Sequence, residues 1–150
     1  MGAAALLAAG TALAWRPLRA RSLDAQFRRA KRDFHWQRER LEAKFVYLAA
    51  SQSRADLAAW DHCHFDDDVA YVRNRSNGEL AAFSAFSLGV DVCDDRGRSP
   101  FDLLANLRAG TAVFRFDGRR WETDGHAILN LSPCEAIRFY RDDLEVVGQE

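Results

Sequence analysis

VAYVRNRSNGELAAFSAF, residues 69–86, decides the fold. Two β-prone runs, Val69 to Arg75 and Glu79 to Val92, flank Ser76-Asn77-Gly78. Asn-Gly marks a hairpin because both positions of a tight two-residue loop take positive φ. With Asn77 and Gly78 as that loop, Asn74, Val72 and Ala70 fall opposite Ala81, Phe83 and Ala85. Side chains alternate along a strand, so these residues make one largely apolar face and Arg73 and Arg75 point away from it. That face is the expected core.

Towards the C-terminus the pattern repeats. Asp117-Gly118 turns a second hairpin, with Thr111 to Phe116 leading in and Arg119 to Thr123 leading out. A two-residue loop sets Phe114 opposite Trp121 and leaves Arg115 and Arg120 together on the other side, where like charges repel mildly. Asp124-Gly125 offers a further turn before a strand from Ala127 to Leu131. Two short helices are announced by Ser-Pro, in which Ser caps and Pro takes the first helical position, where its missing N–H is harmless. Ser99-Pro100 opens one that ends before Gly110; Ser132-Pro133-Cys134-Glu135 is a full capping box, with Cys134, Ile137, Tyr140 or Arg141, and Leu144 following at helical spacing.

Towards the N-terminus, no Gly or Pro interrupts Ser22 to Ala50, and Leu23, Phe27, Ala30, Phe34, Leu41, Phe45 and Leu48 recur at spacings of three, four and seven. This is a long amphipathic helix, capped by Ser22 and with Asp24 at the positive end of its dipole. Gln37 and Lys44 occupy heptad positions that a dry coiled-coil seam would fill with aliphatic residues, so the helix is expected to pack on its own domain. A dimer through this helix is the minor alternative. The whole reads as α+β, a long N-terminal helix packed on an antiparallel, hairpin-built sheet with two short capped helices. A curved sheet wrapped on a helix, of cystatin-like or NTF2-like shape, is the nearest topological analogy.

Composition bounds the rest. A chain of 150 residues holds one modest core, and 48% hydrophobic with 29% charged residues is ordinary for a folded protein. The net charge of −1 hides an asymmetry: residues 16–44 carry ten Lys and Arg against four Asp and Glu, leaving eleven against eighteen elsewhere. A basic arm before an acidic body suits anionic lipid better than nucleic acid, which normally meets a basic domain. Cys63, Cys93 and Cys134 form no Cys-x-x-Cys pair and indicate neither a disulfide framework nor a zinc knuckle.

Gly2 to Trp15 contains no charged side chain. Arg16, Arg19, Arg21, Arg28, Arg29, Lys31 and Arg32 follow it, a flank that the positive-inside tendency keeps cytoplasmic. The expectation is a single-pass anchor over residues 1–15 with its N-terminus outside, a basic juxtamembrane helix over 16–52, and a cytoplasmic globular domain over 53–150. At 1.5 Å per residue the run reaches only about 21 Å, so local thinning or snorkelling flanks would be needed. Ala12-Leu13-Ala14 resembles a small-x-small cleavage site, but a signal peptide carries its cations before the apolar run rather than after it. A buried or unstructured extension is the third reading. The build resembles the small membrane-anchored domains found in many bacteria, with no motif that matches a characterised family.

Chemistry-bearing clusters are few. Asp61-His62-Cys63-His64-Phe65-Asp66-Asp67-Asp68 is the densest; on a strand His62 and His64 share a face and, with Asp66, make a usable ligand set for zinc or iron. The same residues also suit a solvated strand end and turn. Cys134 on the second residue of a helix, with His126 upstream, lacks the orienting partners of a cysteine enzyme. No phosphate loop, HExxH, nucleophile elbow or dinucleotide fingerprint occurs. The sequence therefore points to a membrane-tethered interaction or scaffold domain without catalysis or cofactor, whose partners are lipid and a protein. The alternatives are a small metal-dependent enzyme or sensor, and a pocket domain lined by Phe83, Phe114 and Trp121.

Overall fold

A computed structural model describes residues 2–53, 60–89 and 108–150, with side chains from residue 23 onward. The helix expected after Ser99 and the thiol of Cys93 lie outside these residues. The fold is α+β. Helix α1 (Gly2–Gln52) is followed by β1 (Cys63–Asn74), β2 (Leu80–Leu88), β3 (Arg108–Phe116), β4 (Trp121–Glu122), β5 (Ala127–Leu129), a short α2 (Pro133–Phe139) and β6 (Leu144–Gln149). The six strands form one antiparallel sheet in the order β4-β3-β2-β1-β6, with β5 also on β3.

The chain divides into two compact units, residues 1–36 and 37–150. The first is helical from Gly2; Arg28, Arg29, Arg32 and Trp36 are exposed, and Arg29 pairs with Asp33 one turn on at 3.8 Å.

In the second unit the sheet takes its cover on one face from residues 37–52 of α1. Leu41, Phe45 and Ala49, spaced by four, are all buried. Phe45 is the hub: its ring lies 5.5 Å from Phe86, 5.8 Å from Phe65 and 5.9 Å from Phe114, at tilted or edge-on angles that suit aromatic quadrupoles. Tyr71, Phe116 and Trp121 extend the same layer. Between Phe65 and Val69 the ladder to β2 is interrupted by a bulge. Arg38 on α1 donates Nη1 to the Asp67 carbonyl at 2.7 Å and Nη2 to the Asp66 carbonyl, while its Nε meets Glu42 at 2.7 Å. One planar guanidinium thus satisfies two bulge carbonyls and fixes the strand on the helix.

Both hairpins pair two residues out of the expected register, for the same reason. Val72 faces Ala81 and Ala70 faces Phe83, rather than Phe83 and Ala85; Phe116, rather than Phe114, faces Trp121. The first loop holds the four residues between the bonded Asn74 and Glu79, whereas the second keeps two, Gly118 and Arg119, between the bonded Asp117 and Arg120, one position later than expected. Asn74 Oδ1 accepts from the amides of Ser76 and Asn77, and Asp117 Oδ1 from those of Arg119 and Arg120. These side chains build Asx turns in place of the expected Asn77-Gly78 and Asp117-Gly118 loops, and of the loop residues only Gly78 and Gly118 take positive φ. A slip of two preserves the face of every side chain, so the expected apolar face survives the error. It also relieves the expected repulsion: Arg115 faces Glu122, and Arg120 pairs with Glu122 at 2.8 Å.

The capping box of α2 is present, with Ser132 and Glu135 each bonded to the other's amide. The helix stops at Phe139, however, and Leu144 belongs to a strand rather than to a last helical turn. Asp143 and Leu144 both donate to the Tyr140 carbonyl, turning the chain back. Residues Leu144 to Gln149 then pair with β1, whose edge needs partners, and Val146-Val147 suits a strand.

Candidate functional site

The face of the sheet turned away from α1 is only partly covered. Alternation along the strands places Ala70, Val72, Phe83 and Val113 there, packed with Ala136 of α2. Beside α2 the same face opens into a groove of about 520 Å³. Its floor is Ala81 and Phe83 of β2 and Val113 of β3. Tyr140, Asp143 and Leu144 form the wall between α2 and β6; Arg115, His126 and Ile128 stand on the side of β3 and β5; Asn74 and Glu79 line the hairpin end. A smaller hollow of about 210 Å³ adjoins it, sharing Glu79 and Arg115 and adding Asp117, Glu122, Thr123 and Asp124.

Backbone bonds hold these walls. Asn74 donates to the Glu79 carbonyl and Arg75 to the Asp143 carbonyl, each at 2.8 Å, so two neighbouring residues at the end of β1 position both acidic walls. On the opposite side, the Val113 amide donates to the His126 carbonyl at 3.1 Å, and Thr123 Oγ1 donates to the Val113 carbonyl and accepts from the Gly125 amide. Gly125 arches toward α1: with φ +79, a Cβ there would lie 2.7 Å from Leu48 Cβ. Gln52 Nε2 donates to the Asp124 carbonyl at 2.7 Å, tying the arch to the end of the helix. Arg115 meets Asp124 at 3.2 Å, and Tyr140 stacks edge-on against the exposed Phe139 at 4.9 Å.

The residues singled out in the sequence fall in different places. Phe83 lines the groove, but Phe114 and Trp121 are on the helix side, buried in the aromatic layer. The three do not share a pocket, because Phe83 and Phe114 have opposite parity in paired strands. His62, His64 and Asp66 are exposed at the start of β1, and among the described residues no group of three His, Cys, Asp or Glu side chains gathers where it could hold a metal ion. Cys63 between the histidines is half-buried, and burial together with the charge of Glu42 pushes its thiol up to about 12. Cys134 is exposed. Of the seven cations, Arg28, Arg29 and Arg32 are exposed and Lys31 is partly covered; the side chains of Arg16, Arg19 and Arg21 precede those described. Among the described residues, no helix is long and apolar enough to cross a membrane.

The sequence reading missed the polar groove residues Glu79, Arg115, His126, Tyr140 and Asp143. Arg115 carried the available signal, since it shares parity with Val113 on an otherwise apolar face. No protein family, curated protein or solved structure matches the chain.

Proposed function

We propose that this chain is a binding module tethered to a membrane, with the sheet groove as its ligand site and the domain on the cytoplasmic side. The observation that carries this reading is the groove, an apolar floor with polar groups converging from three sides, the usual anatomy of a small-ligand site. The tether is supported by the uncharged run from Gly2 to Trp15 and the cations after it, the nearest of which stand at headgroup depth if the run enters the bilayer as a single pass. A span of about 21 Å is short, so the cations contribute a larger part of the hold than they would beside a full-length anchor.

A neutral apolar probe tests the site. In ¹⁵N-labelled full-length chain held in phosphatidylcholine nanodiscs, 2-phenylethanol should shift the amides of Ala81, Val113 and Ile128 in a saturable way. Unmoved groove amides at the solubility limit of the probe would discard the site. The tether has its own test: the full chain should stay with membranes through a high-salt wash and leave with detergent, and its recovery in the soluble fraction would remove that half of the proposal.

A further inference from the structure

We infer that the groove takes a small organic cation, a primary ammonium on an apolar body, with the body on Phe83, Val113 and Ile128 and the charge between Glu79 and Asp143. This rests on the groove being a binding site. The first argument is the disposition of charge. The two adjoining hollows are lined by five carboxylates, Glu79, Asp117, Glu122, Asp124 and Asp143, and by one arginine, Arg115. Arg115 is engaged by Asp124 at 3.2 Å, and Arg120 spans Asp117 at 3.5 Å and Glu122 at 2.8 Å. Glu79 and Asp143 have no ion pair among the described residues. The next cation in sequence, Arg75, directs its Nε to the Leu144 carbonyl at 3.3 Å and is not part of the lining.

Geometry gives the second argument. Glu79 and Asp143 are held on opposite sides of the end of β1, one beside β2 and the other leading into β6. Two strand spacings of about 4.8 Å separate such positions, so an ammonium between them has a carboxylate within reach on either side. A negatively charged ligand would instead have to approach both. The apolar floor and the Tyr140 ring supply surface for the body of the ligand and an aromatic face for its charge. The volume of about 520 Å³ suits a small molecule.

Three probes of one shape decide the matter in the same labelled full-length chain: phenethylammonium, 2-phenylethanol and 3-phenylpropionate, each followed at the amides of Ala81, Val113 and Ile128. The ammonium should bind about fivefold to tenfold more tightly than the alcohol, as two partly exposed ion pairs allow, and the carboxylate more weakly than either. The preference should shrink as salt is raised. In the E79Q/D143N double variant the ammonium should fall to the affinity of the alcohol. The inference is overturned if the carboxylate binds as well as the ammonium, or if the double variant keeps the ammonium preference. Alcohol binding without ammonium preference removes the ligand class alone, whereas silence from all three probes removes the groove as a site.

Discussion

The two faces of the sheet are made from alternate residues of the same strands, yet one became a core and the other a groove. On the helix side Tyr71, Ala82, Phe86, Phe114 and Trp121 are buried almost completely, under a stripe of α1 centred on Phe45. On the other side Ala70, Val72, Phe83 and Val113 are buried, but Ala81, Ile128, Leu131, Ile137 and Leu144 are only partly so. Both faces are apolar; what differs is the length of the cover. The stripe of α1 from Leu41 to Ala49 crosses the sheet, whereas α2 has seven residues and shields only the part around Ala136. Where a sheet face is longer than the helix packed on it, the remainder becomes exposed apolar surface that polar side chains must frame.

The sharpest way to break this comparison is to truncate one large side chain on each face. Phe45→Ala empties the centre of the aromatic layer and should cost about 3–5 kcal/mol, the range for a buried phenylalanine. Ile128→Ala, at the half-covered rim of the groove, should cost about 1–2 kcal/mol, because less area returns to water and the open side leaves no closed cavity. Chemical denaturation of the two variants measures both. Equal losses would mean that the faces are equally packed and that the groove is closed in solution.

Next in size is the arch where the β4–β5 connection meets the helix. Gly125→Ala combines a left-handed backbone with a Cβ placed 2.7 Å from Leu48 Cβ and 2.8 Å from the Ala49 amide nitrogen, and should cost about 2–4 kcal/mol. Gly118→Ala shares the positive φ, but its Cβ would meet nothing within 4 Å, so about 1–2 kcal/mol is expected. The difference between them isolates the close approach to α1. If the two lose equally, only the backbone conformation matters and the arch does not brace the helix side.

How much of this was legible in the sequence follows the range of the forces involved. Side-chain parity is local, so the apolar faces around Val72, Phe83 and Phe114 could be read directly, as could the α+β class and the capping box at Ser132. Turn length at the first hairpin and turn position at the second were misread because Asn74 and Asp117 compete for their own downstream amides, an interaction that the Asn-Gly and Asp-Gly signals do not report. Strand β6 was unreadable for a different reason: Leu144 to Gln149 has too little pattern of its own and becomes a strand by pairing with the open edge of β1. The groove depends on that misread turn and on that strand, since Glu79, Asp143 and Leu144 come from them. Its polar site residues were accordingly the least visible part of the chain, and of the aromatic residues chosen in their place Phe83 lines the groove while Phe114 and Trp121 belong to the core.

A smaller effect tests the cover of the open face. Ser132→Ala removes the hydroxyl that receives the Glu135 amide and accepts nothing in return, so about 1 kcal/mol should be lost. Because α2 shields only one end of that face, the loss should appear together with shifts at Ile128 and Leu131, which pack against the cluster that includes Ala136, and not at Phe45 or Phe86. Shifts spread over both faces would show that α2 is coupled through the sheet to the helix side.

The smallest expected effect is a pH dependence at two surface carboxylates. Asp117 is held below the ordinary carboxylate range by the amides of Arg120 and then Arg119, and Glu135 by the amide and then the hydroxyl of Ser132. Both pKa values are depressed in the folded state, so on acidification the unfolded chain takes up these protons first. Their stabilisation is therefore present above the ordinary carboxylate pKa of about 4 and is lost as the pH falls through the lower folded values. Asp117→Asn and Glu135→Gln each keep an oxygen to accept from the same amides but cannot titrate. The double variant should therefore show a shallower decline of stability between about pH 5 and pH 2 in urea titrations. Asp117 belongs to the β3–β4 turn and Glu135 to the α2 cap, so the single variants separate the sheet edge from the helix that covers the open face. If Glu135→Gln alone flattens the acid limb, the open face is the part of the molecule that loosens first in acid; if only Asp117→Asn does so, loosening begins at the hairpin and the two faces fail together.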